Sequence, residues 1–109
     1  MPTVYITAPP EAASDIAETL VEERLAACVN SVPCSSVYRW EGEVHQDEEV
    51  LLLAKTTAEE YDRLEARVEE LHPYDVPCIE RFEERDLLDS FAAWRDEMVS
   101  SVASDSDGE

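Results

Sequence analysis

Glycine is almost missing from this chain: Gly42 and Gly108 are the only two among 109 residues. Backbone cradles for phosphate need several glycines close together, so neither a Walker loop nor a G-x-G-x-x-G turn can be built. Basic residues are scarce as well, eight against 27 acidic ones, for a formal net charge of −19. Such a chain repels the phosphates of nucleic acid and an anionic membrane face, so no nucleic acid and no membrane is expected as a partner. No stretch reaches the roughly 18 to 20 apolar residues of a membrane span. Met1 also leads into a strand-like run rather than into a basic and then apolar leader. Cys28, Cys34 and Cys78 form no C-x-x-C pair, so neither a zinc ribbon nor a disulfide framework follows from their spacing. Free thiols fit a reducing compartment, and a cytoplasmic location is expected. With no H-E-x-x-H and no Ser-His-Asp set in view, an enzyme is not indicated.

What remains is enough for one core. Hydrophobic residues make up 44% of the chain, and its length is that of one domain. That domain is expected to span residues 1–102, with a disordered acidic tail at 103–109. Seven of the eight basic residues are Arg, and Lys55 is the only lysine. The acids fall on every expected helix rather than in one block, which fits a salt-adapted, halophilic protein whose self-repulsion is screened.

Thr3 to Ala8 reads as a β-branched and aromatic strand stopped by Pro9-Pro10, which also prepares a helix start. From Glu11 to Leu25, Ala13, Ile16, Ala17 and Leu20 recur at helical spacing. Two long extended runs follow, Cys28 to Trp40 and Glu43 to Thr56, joined by Glu41-Gly42, a two-residue hairpin turn. Arms of this length exceed the usual strand, so part of the ribbon must project or bend. Val37, Tyr38 and Trp40 near its tip call for a partner chain. Thr57-Ala58-Glu59-Glu60 fits a capping box for a helix running to His72-Pro73. Val76 to Phe82 is a fourth strand. Asp86 is placed to cap a last helix with a stripe of Leu87, Phe91, Trp94 and Met98. The order predicts an α+β fold, a ferredoxin-like βαββαβ sandwich with a long β-hairpin and an extra C-terminal helix. Helices cover one sheet face; because Val50, Leu52 and Ala54 alternate with Leu51 and Leu53, the other face is apolar as well and needs a cover that the last helix and neighbouring subunits can supply.

Four ordered motifs then resemble the CutA family of divalent-cation tolerance proteins. They are Arg24-Leu25-Ala26-Ala27-Cys28-Val29-Asn30, the Tyr38-x-Trp40-Glu41-Gly42 turn, Lys55-Thr56-Thr57, and His72-Pro73-Tyr74-Asp75-Val76-Pro77. The resemblance implies a ferredoxin-like protomer whose hairpins interlock into a homotrimer, a link to copper tolerance in some bacteria, and no established catalytic reaction. It also implies metal ligands in the first strand and just before the Pro-Tyr pair. Here those positions hold Ile6 and Leu71, which leaves His72, with Cys78 standing where relatives often carry Glu.

His72 is therefore the candidate metal ligand, since imidazole suits copper and zinc and a helix end keeps it accessible. The structural alternative is that it closes the last helical turn before Pro73. A site needs more than one imidazole, so Cys78, Asp75 or Glu80 would have to converge with it. Cys28 and Cys34 share a strand face but lie too far apart to chelate one ion, and are read as packing residues. Lys55 and Glu49, also on one face, can line a polar cleft beside Tyr38, Trp40 and Tyr74, where the lysine would hold an anion; a structural ion pair is the alternative. Three functions follow. The leading one is a trimeric protein binding Cu²⁺ or another divalent cation, with no metal required for folding. The others are a PII-like regulatory trimer with a small ligand in its subunit clefts, and a structural scaffold.

Overall fold

The computed structural model describes residues 2–99. The predicted end of the domain and the acidic tail at 103–109 lie outside them. The elements are β1 (Pro2–Ala8), α1 (Pro10–Glu22), β2 (Cys28–Trp40), β3 (Glu43–Lys55), α2 (Tyr61–Leu71), β4 (Ile79–Glu83) and α3 (Asp89–Met98). The four strands form one antiparallel sheet in the order β2-β3-β1-β4. This is the α+β, ferredoxin-like βαββαβ arrangement with an added helix.

Strand alternation sorts the sheet into two faces. Val4, Ile6 and Ala8 of β1 and Leu52 and Ala54 of β3 are buried with Ala13, Ile16 and Leu20 of α1 and Leu64 and Val68 of α2. On the other face lie Tyr5 and Thr7 of β1 and Leu51 and Leu53 of β3, all half-buried. The register carries that open face outward through Glu49 opposite Cys34, Asp47 opposite Ser36, and His45 opposite Tyr38.

β1 accompanies β3 only from Val50 to Lys55. Beyond that the two 13-residue arms continue as a two-stranded ribbon, closed by Glu41 at φ 51 and Gly42 at φ 82. Two successive residues in the left-handed region make a type I′ turn, whose twist matches the strands. Strands of that length reach ~43 Å, and the molecule is 50 Å long but only 19 Å across its thinnest direction. Val37 and Val44 on the ribbon are about two-thirds exposed.

Four boundaries differ from the sequence reading. α1 ends at Glu22 rather than Leu25, because Arg24 adopts φ 62 and the chain folds back. The Arg24 amide donates to the Val21 carbonyl and the Leu25 amide to that of Leu20, a Schellman motif with arginine where glycine is usual. Leu25 then packs into the core. α2 begins at Tyr61, the Glu60 amide donating to Thr57 Oγ1 and the Glu60 carboxylate accepting from Arg63 at 2.8 Å. β4 starts at Ile79, after the loop holding Pro77. α3 is capped at Leu88 rather than Asp86 and begins at Asp89. Its buried residue is Arg95, 3.4 Å from Glu84, whereas Trp94 of the expected stripe stays partly exposed. Arg24 Nη2 donates to the Glu97 carbonyl at the end of α3, tying that helix to the end of α1.

Candidate functional site

The open face becomes concave where the ribbon leaves the sheet. Ser36, Tyr38 and Trp40 from β2, Glu49 from β3 and Tyr5 and Thr7 from β1 form one wall. The loop after α2 supplies Pro73, Tyr74, Asp75, Val76 and Cys78, and β4 adds Glu80. Together they enclose about 640 Å³, the range of small-molecule sites. The strand positions share one pleat parity, so a single twist of the sheet brings them together; the loop closes the remaining side.

His72 organises that loop. It is buried rather than accessible, being only 7% exposed. Its Nε2 lies 2.8 Å from the Thr7 carbonyl oxygen, and its Nδ1 accepts from the Tyr74 amide at 3.2 Å. A carbonyl can only accept and an amide can only donate, so these partners fit the tautomer with the proton on Nε2. Both ring nitrogens are thereby engaged inside the protomer. The imidazole also packs against the Tyr74 ring, with centroids 4.8 Å apart.

Tyr74, held in this way, donates from Oη to Glu49 Oε2 at 3.0 Å. Burial and the neighbouring Glu49 carboxylate push its phenol up to about 12. Tyr38 donates its hydroxyl to Asp47, whose carboxylate is the main reason that this phenol too is raised. Its ring stacks on His45 with centroids 5.5 Å apart. Cys78 is a free cysteine in an exposed position whose thiol is partly desolvated. Burial, then Glu80 and Glu49, hold it above the ordinary thiol range, which disfavours the thiolate that a metal would need.

Tyr38, Trp40, Glu49, Tyr74 and Cys78 thus meet at one cavity. Lys55 does not join them: it sits opposite Cys28 at the far end of β3, with Nζ 2.8 Å from Asn30 Oδ1. The six-position step from Glu49 to Lys55 spans ~20 Å of strand, so a shared strand face does not make them neighbours. Cys28 and Cys34 are separated along β2 in the same way. Among the described residues, no group of three or more His, Cys, Asp and Glu side chains is placed to hold a metal ion. With both His72 nitrogens occupied, the side chains of one protomer do not fit a copper centre built on this histidine. Sequence reasoning missed Tyr5 and Thr7; the alternation of Val4, Ile6 and Ala8 with Thr3, Tyr5 and Thr7 was the available signal.

The family model described as CutA1 divalent ion tolerance protein matches residues 2–98. The divalent-cation tolerance protein CutA of Thermus thermophilus is 59% identical over 78 residues, 70% of this chain and 76% of that one. A solved structure of the Thermus thermophilus divalent cation tolerance protein superposes with a TM-score of 0.87 at 48% identity, covering 92% of this chain and 100% of the other. The PII-like protein CutA from Nostoc, in apo form, gives a TM-score of 0.89 at 35% identity, covering 92% and 98%. Among the described residues no helix is long and apolar enough to cross a membrane.

Proposed function

The chain belongs to the CutA1 divalent ion tolerance family, and from that premise we propose that it works as a homotrimeric regulatory module that binds a small ligand in the cleft on its open sheet face. The observation that carries this reading is the convergence of Tyr38, Trp40, Glu49 and Tyr74 on one cavity, pinned by the His72 and Tyr74 hydrogen bonds. The trimer is supported by the ribbon. An isolated two-stranded hairpin is marginal in water, and this one exposes Val37 and Val44 on the face away from the cleft while Leu51 and Leu53 lie only half-buried at its root. Three copies that exchange ribbons would bury both. The likeness to a PII-like protein supports binding rather than catalysis as the activity. The free thiols support a cytoplasmic location, and the acid excess on every helix supports operation in concentrated salt.

A second reading, direct binding of Cu²⁺, is favoured by one observation: Cys78 shares the cavity with Glu49 and Glu80. Two or more copies would then have to complete the ligand set. Light scattering in molar KCl, combined with calorimetric titration of Cu²⁺, separates these proposals. The regulatory reading expects a trimer and Cu²⁺ heats no larger in wild type than in Cys78→Ser. A well-folded single chain would overturn the trimer, and saturable Cu²⁺ binding lost in Cys78→Ser would replace the regulatory reading with the metal one.

A further inference from the structure

Resting on the reading of the open-face cavity as a ligand cleft, we infer that its ligand is a small organic cation carrying an alkylated ammonium group. The lining has two chemical components. Tyr5, Tyr38, Trp40 and Tyr74 bring aromatic rings, and Glu49, Asp75 and Glu80 bring carboxylates. No lysine, arginine or histidine lines it among the described residues. An anion placed there meets three carboxylates and no counter-charge, whereas a soft cation gains from both components, because aromatic faces attract alkylammonium groups that are weakly hydrated.

The fold itself keeps basic groups away. Arg81 is the register partner of Val4, so it points to the helix-covered side and lies 5.0 Å over the Tyr61 ring. Arg39 is opposite in parity to Tyr38 and Trp40 and leaves the ribbon on the other face. Lys55 is held by Asn30. His45 stacks on Tyr38 but does not line the cavity. The two phenol hydroxyls are tied to Asp47 and Glu49, which orients the Tyr38 and Tyr74 rings before a ligand arrives. Glu49 is itself 6% exposed, so a cation that reaches it must shed water, which an alkylated ammonium does far more readily than an alkali or divalent metal ion.

The test is calorimetric titration of the full chain in molar KCl with choline. Its neutral isostere 3,3-dimethylbutan-1-ol reports the charge, and adenosine monophosphate serves as the anionic probe. The expected result is saturable choline binding at one site per protomer, at least tenfold weaker for the neutral isostere and undetectable for the nucleotide. Trp40→Ala is expected to weaken choline about tenfold, the scale of one desolvated cation–π contact. Because Trp40 also lies on the ribbon, Glu80→Gln on β4 provides the second variant, with light scattering run on each. Choline affinity unchanged in both variants, or equal affinity for the isostere, would overturn the inference. Nucleotide binding in place of choline, with protection of Tyr74, would sink the ligand class while leaving the cleft reading intact. A cavity filled by the neighbouring ribbon in the trimer, with no probe bound, would remove both.

Discussion

Leu52 and Leu53 are consecutive on β3, yet one is wholly inaccessible beneath α1 and α2 and the other half-buried on the opposite face. The two faces of this sheet are thus finished by different means. The helix side closes within the chain, where α1 and α2 lay their apolar stripes on Val4, Ile6, Leu52 and Ala54. The open side combines leucines near the root of the ribbon with aromatic rings and carboxylates farther out. What closes within one chain contributes to folding at any concentration; what stays open is free for another copy and for a ligand.

The sharpest way to break this comparison is truncation on the closed side. Leu52→Ala leaves a cavity beneath the helices and is expected to cost about 2–5 kcal/mol, read as a lowered urea midpoint independent of protein concentration. Leu53→Ala should instead give a loss that depends on protein concentration, as expected if a second copy packs on it in the proposed trimer. If both variants lose the same stability at every concentration, the distinction between the faces is wrong.

Next comes the hinge between the faces. His72→Ala strands the Thr7 carbonyl and the Tyr74 amide and is expected to cost about 1–3 kcal/mol. It should also loosen Tyr74, seen as faster hydrogen exchange in the 73–78 loop, and leave Cu²⁺ heats unchanged. A change confined to Cu²⁺ binding, with stability intact, would return His72 to the role of metal ligand.

A smaller effect belongs to the ribbon tip. Gly42→Ala meets no atom within 4 Å but must hold φ +82, which costs about 1 kcal/mol for a residue with a Cβ. Thermal melts would register it as a modest drop, and no drop would mean that the ribbon contributes nothing to the melting unit.

The gentlest test is pH. In the folded chain Tyr74 keeps its proton to about 12, against 10.0 ordinarily. Its contribution is therefore complete below pH 10 and declines as pH rises from there to about 12, because the unfolded chain ionises first. Tyr74→Phe should flatten that decline in part, Tyr38 being raised as well. An unaltered alkaline profile would show that the Tyr74–Glu49 contact carries no stability.

Much of the fold was legible because it is written in local periodicity. Alternation in Thr3 to Ala8, the heptad-like stripe around Leu64 and Val68, and Glu41-Gly42 between two extended runs each point to one element. Helix ends were harder to read. Arg24 in a left-handed conformation ended α1 three residues early, and nothing in an arginine announces that conformation as glycine would. The last helix begins only after Leu88, which supplies no side-chain cap, rather than after Asp86. In the candidate site, the aromatic and acidic residues were visible individually. Lys55 was misplaced because equal parity says which face a residue shares, not how far along it lies.

The sequence by itself determined the order of the elements and which residues share a strand face, since these follow from short-range spacing and the pleat; the β2-β3-β1-β4 pairing rests on contacts far apart in the chain. Only the tertiary structure decided that His72 turns inward to Thr7, that the loop bearing Tyr74 closes over Glu49, and that the cavity they form excludes every basic side chain of the described residues. Those outcomes depend on contacts between residues 25 and 65 positions apart, whose geometry is set by sheet twist and by packing rather than by any local pattern.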